Sequence, residues 1–262
     1  MIKILIVMEG ERAEPNFFKT ITQKFGLNAE FFAVGTNLYS LYSKCKSYSF
    51  ECDVKDVLKE LVKSKEEREK LDQKFAFTYL VFDADLQHKV PEQRNKYIDM
   101  KVLVDQNFPQ LIEMAKHFTN ETDPSIGKLY INYPMMESYR YCDSFSDECN
   151  LSATVPIDDV KIFKQLASAM KLSGISLDEY EKKDFANLIQ MNIKRLRILS
   201  LGDLETFLPY DLYQKMVKSE TIAKIQWNKV QTNHELHIIN TSIFLVVDYF
   251  GNRNSFYDNL FC

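Results

Sequence analysis

The chain has 262 residues, 45% of them hydrophobic and 27% charged, with only seven glycines and seven prolines. That balance belongs to a globular body and excludes a disordered, low-complexity or collagen-like chain. The formal net charge is −4, so bulk positive charge cannot hold a nucleic acid; a local patch, metal ions or a basic partner would have to do so.

Met1-Ile-Lys-Ile alternates charged and apolar residues and Glu9 interrupts the run early, which reads as a strand and not as a secretory signal. Ile2 to Met8 is apolar except for Lys3, the pattern of a strand buried on both faces of a parallel sheet. Pro15 opens a helical pattern with Phe17, Phe18, Ile21 and Phe25 on one side, and Gly26 stops it. Ala29 to Val34 is a second short strand, closed by Gly35. Asn37 to Tyr48 and Val54 to Leu71 read as helices, the Lys63–Lys70 charge run being a solvated face. Phe75 to Phe82 is a third strand, Lys96 to Phe118 a helix and Lys128 to Tyr133 a fourth strand. Alternating strands and helices predict βαβ units and a mostly parallel sheet flanked by helices, an α/β fold.

From Pro134 the pattern is almost wholly helical: Asp158–Leu172, Leu177–Leu199, Leu204–Lys218, Glu220–Lys229 and His234–Phe250. No Gly/Ser linker separates the halves, so an α/β region over residues 1–140 and a helical region over 141–262 are expected to share one body. Ile238, Ile239 and Ile243 to Val247 leave the last helix little polar surface, so it is expected in the core or against another chain. With the aromatic tail around Phe256, Tyr257 and Phe261, this suggests docking or a homo-oligomer. No apolar run reaches the ~20 residues of a membrane span. Five cysteines without a Cys-x-x-Cys suggest reduced thiols and a cytoplasmic location. Cys45/Cys52 and Cys142/Cys149 share a spacing, but not that of a zinc knuckle.

The informative residues stand where strands end, which in an open parallel sheet is where ligands bind. The first strand runs into Glu9-Gly10-Glu11 and the third into Asp83-Ala84-Asp85. In extended backbone Asp83 and Asp85 point the same way. Carboxylates gathered at one sheet edge repel one another unless a cation joins them, and Mg²⁺ or Mn²⁺ is the natural partner of such oxygens. A site of this kind suits phosphoryl chemistry. Taken alone, Asp-x-Asp or Glu-Gly is commonly a polar loop; their placement after two apolar strands is the specific signal.

Ile6-Val-Met-Glu9-Gly10-Glu11-x-x-Glu14-Pro15-x-Phe17-Phe18, followed by Leu80-Val-Phe-Asp83-x-Asp85, resembles the TOPRIM fold, and within it the RloB-type and OLD-type nucleases of bacterial defence loci. The resemblance covers about residues 1–140. It includes His88 close behind the Asp-x-Asp pair and a looser third motif, Asn132-Tyr133-Pro134-Met135-Met136-Glu137-Ser138-Tyr139, which has an inserted tyrosine and no tryptophan. The resemblance implies that Glu9 is a metal ligand or general acid/base, that Asp83 and Asp85 hold Mg²⁺ or Mn²⁺, and that Glu137 is a further ligand or an orienting group. Glu11 is a further possible ligand, and Glu14 a ligand or a helix-start residue. It also implies anti-phage function beside a separate ABC-type ATPase.

His88 reads either as a group that positions water or contacts phosphate, or as an exposed turn residue. Lys194, Arg195 and Arg197, with Arg140, form the best basic cluster for a phosphate backbone, against the simpler reading of a charged helix face. His234 and His237 read as structural. No phosphate loop, GxGxxG or GxSxG is present. The leading expectation is therefore a metal-dependent endonuclease acting on DNA, or on RNA such as transfer RNA as a toxin would in abortive infection. The alternative is a non-catalytic interaction subunit of an ATPase complex that keeps the acids for structure.

Overall fold

An unbroken apolar strand is stable only where both of its faces are covered. In the computed structural model β1 (Lys3–Met8) holds that place: it pairs in parallel with β2 (Asn28–Ala33) on one side and β3 (Phe77–Asp83) on the other, and Ile4 to Met8 are buried. β4 (Lys128–Asn132) extends the sheet past β3, giving the all-parallel order β2-β1-β3-β4. The structure describes residues 3–62, 64–119, 126–145, 150–203, 207–251 and 255–261. Ile2 of the first predicted strand, Lys63 of the charge run, Cys149 of the second cysteine pair and the predicted helix start at Leu204 lie outside them.

Helices connect the strands as the βαβ pattern requires. α1 (Ala13–Phe25) buries Phe17, Phe18, Ile21 and Phe25 and ends at Gly26, whose φ of 69° is the left-handed stop that glycine adopts without strain. α2 (Leu38–Ser47) starts at Asn37, whose side chain caps it. The helix predicted over Val54–Leu71 is two, α3 (Val54–Leu61) and α4 (Lys65–Leu71), because Ser64 caps a new start. α5 (Met100–His117) begins at its cap Asp99, later than the sequence pattern suggested.

The C-terminal half departs further from expectation. Among its described residues are α6 (Phe163–Ser168), α7 (Lys182–Leu201), α8 (Tyr210–Met216) and α9 (Ser219–Asn233), with 3-10 turns at Ile157–Ile162, Lys171–Gly174 and Leu177–Glu179. It also holds an antiparallel strand pair that the sequence reading missed, β5 (Thr154–Pro156) with β6 (Glu235–His237). The helix predicted over His234–Phe250 is not formed. His234 ends α9 in a left-handed conformation, β6 follows, and only then come the 3-10 turn Ser242–Phe244 and the short α10 (Leu245–Phe250). An apolar run with no periodicity fits buried strand and coil as well as helix, and here it takes that form.

That run is core, and the tail packs against it. Ile238, Ile239 and Ile243 to Val247 are fully buried in this chain, and in α11 (Phe256–Asn259) Tyr257 is buried with its hydroxyl donating to the Leu208 carbonyl (2.7 Å). The two halves share one hydrophobic cluster, for example where Phe17 meets Tyr139 and Phe185. A bridge between Tyr133 and Ile239 ties the segment after β6 to the end of β4. Among the described residues no helix is long and apolar enough to cross a membrane.

Candidate metal centre

Register decides which acids meet. Met8 pairs with Val81 and Asp83 with Asn132, so Glu9, one residue beyond β1, comes level with the end of β3. There the Asp83 N–H donates to Glu9 Oε2 (3.4 Å). Glu14, in the first turn of α1, is buried and folds back so that Gly10 N–H donates to its Oε2. A Cβ at Gly10 would stand 2.6 Å from that oxygen, so a side chain there would displace the Glu14 carboxylate. Asp85 lies past the strand with φ of 43°, a left-handed conformation that aspartate tolerates better than most residues. The simple alternation expected for Asp83 and Asp85 therefore does not apply, yet both remain in the acid group.

The acids feel one another. Burial first, then repulsion from Asp85 and Glu14, raises the Glu9 pKa to about 8, although the Asp83 N–H opposes the shift. Asp83 is pushed well above the usual carboxylate range by burial and by the charges of Glu9, Glu14 and Glu137, against a weak bond from Asn132 Nδ2 at 3.5 Å. Burial raises Asp85, while His88 and a bond from Gln87 Nε2 (2.5 Å) pull it back. Burial also raises Glu14, with the Gly10 N–H opposing and the Glu137 charge adding to the rise. Among the described residues no group of three or more His, Cys, Asp or Glu side chains is placed so that it could hold a metal ion. Without a counter-charge, repulsion keeps neighbouring carboxylates from closing together.

Two further groups belong to the site. Glu137 is buried on the 3-10 turn Met136–Arg140, and Lys164 of α6 pairs with it at 3.0 Å. The Lys164 charge also reaches Glu14. Lys164 carries no motif, and only tertiary packing brings it here. The Gln87 Oε1 and Ser138 Oγ atoms are buried without a hydrogen-bond partner, next to Asp85 and Glu137 in sequence. Beneath, Asn132 Oδ1 accepts from Ser242 N–H (3.2 Å), so the C-terminal segment sets the amide that faces Asp83.

The remaining predicted residues divide. His88 stands close enough to Asp85 for each charge to affect the other. Glu11 is exposed, with an oxygen beside Gly35 at the exit of β2. Arg195 and Arg197 do not face a ligand. Arg195 is fully buried and donates to the Ser138 and Tyr141 carbonyls (3.0 and 2.7 Å), bracing the turn that carries Glu137. Arg197 is forked onto Asp203 and the Phe207 carbonyl. Both guanidinium groups serve internal acceptors, which a backbone-binding cluster could not spare. Lys194 and Arg140 are half-buried.

A cavity of about 680 Å³ lies elsewhere, lined by Phe77, Tyr79, Lys128, Tyr210 and Asp248 around the starts of β3 and β4. It is at the opposite end of the sheet from the acids. Strand-end chemistry, not cavity size, marks the candidate centre. Compared with protein-family models, curated proteins and solved structures, the chain gives no match.

Proposed function

We propose that this chain is a metal-dependent endonuclease of TOPRIM type that hydrolyses phosphodiester bonds of DNA or RNA. The observation that carries the reading is the group formed by Glu9, Asp83 and Asp85 at the carboxyl ends of adjacent parallel strands, each with its pKa raised. The donor set is all oxygen, and the unpartnered Gln87 Oε1 adds one more, which fits Mg²⁺ or Mn²⁺. Glu9, Asp83 and Asp85 would hold the ion, with Glu14 and Glu137 completing the acidic surround. When bound, the ion would supply charge neutralisation at a phosphate and an acidified water.

The chain's own groups have distinct tasks in this reading. Glu9, whose pKa is raised to about 8, is the ligand whose ionisation accompanies binding of the ion. Lys164 offers an ammonium to a non-bridging phosphate oxygen at the edge of the acids. Asp85 and Gln87 hold each other in place. The resemblance of the first two motifs extends the proposal to phage defence, with a separate ABC-type ATPase restraining the nuclease. The alternative of a purely docking subunit loses its main motive, because the apolar C-terminal run lies inside the chain.

The test is to incubate purified protein with plasmid DNA and with total cellular RNA, in Mg²⁺, in Mn²⁺ and in excess EDTA. Cleavage with either ion, abolished by EDTA and by Asp83→Ala, is expected. Cleavage that persists in EDTA contradicts the proposal, as does none in any arm.

A further inference from the structure

His88 is held by two contacts to its ring and one to its backbone. Its face stacks on Tyr39, with centroids 4.7 Å apart and planes 14° from parallel. Tyr39 is itself fixed by donating to the Ala84 carbonyl (2.6 Å). The His88 backbone carbonyl accepts from Asn107 Nδ2 (2.9 Å). The ring edge meets Asn37, whose Nδ2 lies 2.9 Å from His88 Nδ1.

The orientation of that amide follows from the helix it caps. Asn37 Oδ1 accepts from the backbone N–H of Ser40 (3.0 Å) and stands 3.1 Å from its hydroxyl. Turning the amide over would set NH₂ against the Ser40 N–H, donor against donor, and would leave α2 uncapped. So Oδ1 belongs to the helix and the NH₂ must face His88. A nitrogen that faces an N–H donor has to be an acceptor, so Nδ1 carries no proton. In the neutral ring the proton is therefore on Nε2. Among the described residues Nε2 makes no hydrogen bond.

We infer that Asn37 locks His88 as the Nε2–H tautomer, so that His88 serves the acid centre as a hydrogen-bond donor to a phosphodiester oxygen and not as a proton acceptor or metal ligand. The phosphate contact rests on the nuclease reading; the tautomer does not. Asn37 touches no substrate and acts as a positioning residue. Metal ligation is excluded at Nδ1, which is occupied by Asn37, and at Nε2, which bears the proton.

The experiment uses the full chain labelled uniformly with ¹⁵N. The sequence has four histidines, and loss of one set of signals in His88→Gln assigns this one. Long-range ¹H–¹⁵N correlation at neutral pH reads which ring nitrogen bears hydrogen. The wild type should show an unprotonated Nδ1 and a protonated Nε2. Asn37→Asp keeps a capping oxygen for Ser40 but turns a carboxylate oxygen to the ring, so hydrogen should appear on Nδ1. Asn37→Ser, which also caps but does not reach His88, should give a mixture of tautomers. A wild-type ring with hydrogen on Nδ1, or an unchanged pattern in both variants, overturns the inference.

Dimethyl phosphate added with Mg²⁺ then tests the contact. A shift confined to Nε2 of His88 is expected. Signals that move elsewhere in the acid centre while Nε2 stays still overturn the donor role. No response anywhere removes the phosphate contact together with the metal reading, whereas the tautomer has already been decided on the free protein.

Discussion

Both ends of the parallel sheet carry partly buried carboxyl groups, but they are treated differently. At the starts of β3 and β4, Asp248 has its own cation: Lys128 Nζ lies 2.7 Å away and Tyr130 adds its hydroxyl. At the other end Glu9, Asp83 and Asp85 crowd one another, and the ammonium nearby, from Lys164, is taken up by Glu137. An acid paired within the chain stabilises it. Acids left to repel each other cost stability, and the fold keeps them where parallel strands direct ligands. The contrast teaches that the number of acids does not mark a site; what marks it is how their charge is balanced.

The comparison predicts opposite results for substitutions at the two ends. Glu9→Ala, Asp83→Ala and Asp85→Ala should each leave a folded protein and reduce cleavage by at least about a hundredfold, the scale of losing one group that stabilises a transition state. Lys128→Met or Asp248→Asn should do the reverse. Breaking a largely buried pair should cost about 2–3 kcal/mol in denaturant unfolding with little change in the activity of the folded fraction. A Lys128 variant that abolishes cleavage, or an Asp83 variant that unfolds, would dissolve the distinction.

A smaller effect is expected with pH. The folded pKa of Glu9 is raised to about 8, above its unfolded value. Between about pH 4.5 and 8 the folded state therefore binds more protons than the unfolded one, and its stability falls as pH rises through that window. Metal-free protein should lose on the order of a few kcal/mol across it, and Glu9→Gln should flatten the fall. Mg²⁺ should flatten it too, since cation binding favours the ionised acids. Stability that rises with pH in the metal-free protein would show that the acids are already compensated.

The strand-ended half of this picture was legible in the sequence. Continuous apolar runs bounded by Glu9 and Asp83 mark parallel strands and the edge that carries the candidate site, because burial on both faces leaves the strand no polar position. Gly26 and Asn37 also marked local structure correctly. What the sequence hid was tertiary. Arg195 and Arg197 read as a basic patch, yet helical periodicity does not say which face packs, and both turn inward. The Ile238–Val247 run read as a helix because apolar composition is the same for any buried backbone. Lys164 and Ser242 reach the acid centre only through the fold and bear no local signature.

The central claim is that the Glu9, Asp83 and Asp85 carboxylates are gathered to hold a divalent cation. Calorimetric titration of the purified chain with Mn²⁺, repeated in buffers of different ionisation enthalpy, tests it most directly. The account predicts saturable binding near neutral pH with net proton release, because Glu9 must ionise to accept the cation. Both the binding and the released protons should disappear in Asp83→Asn/Asp85→Asn. No saturable binding by the wild type, or equal binding by the double variant, would contradict it.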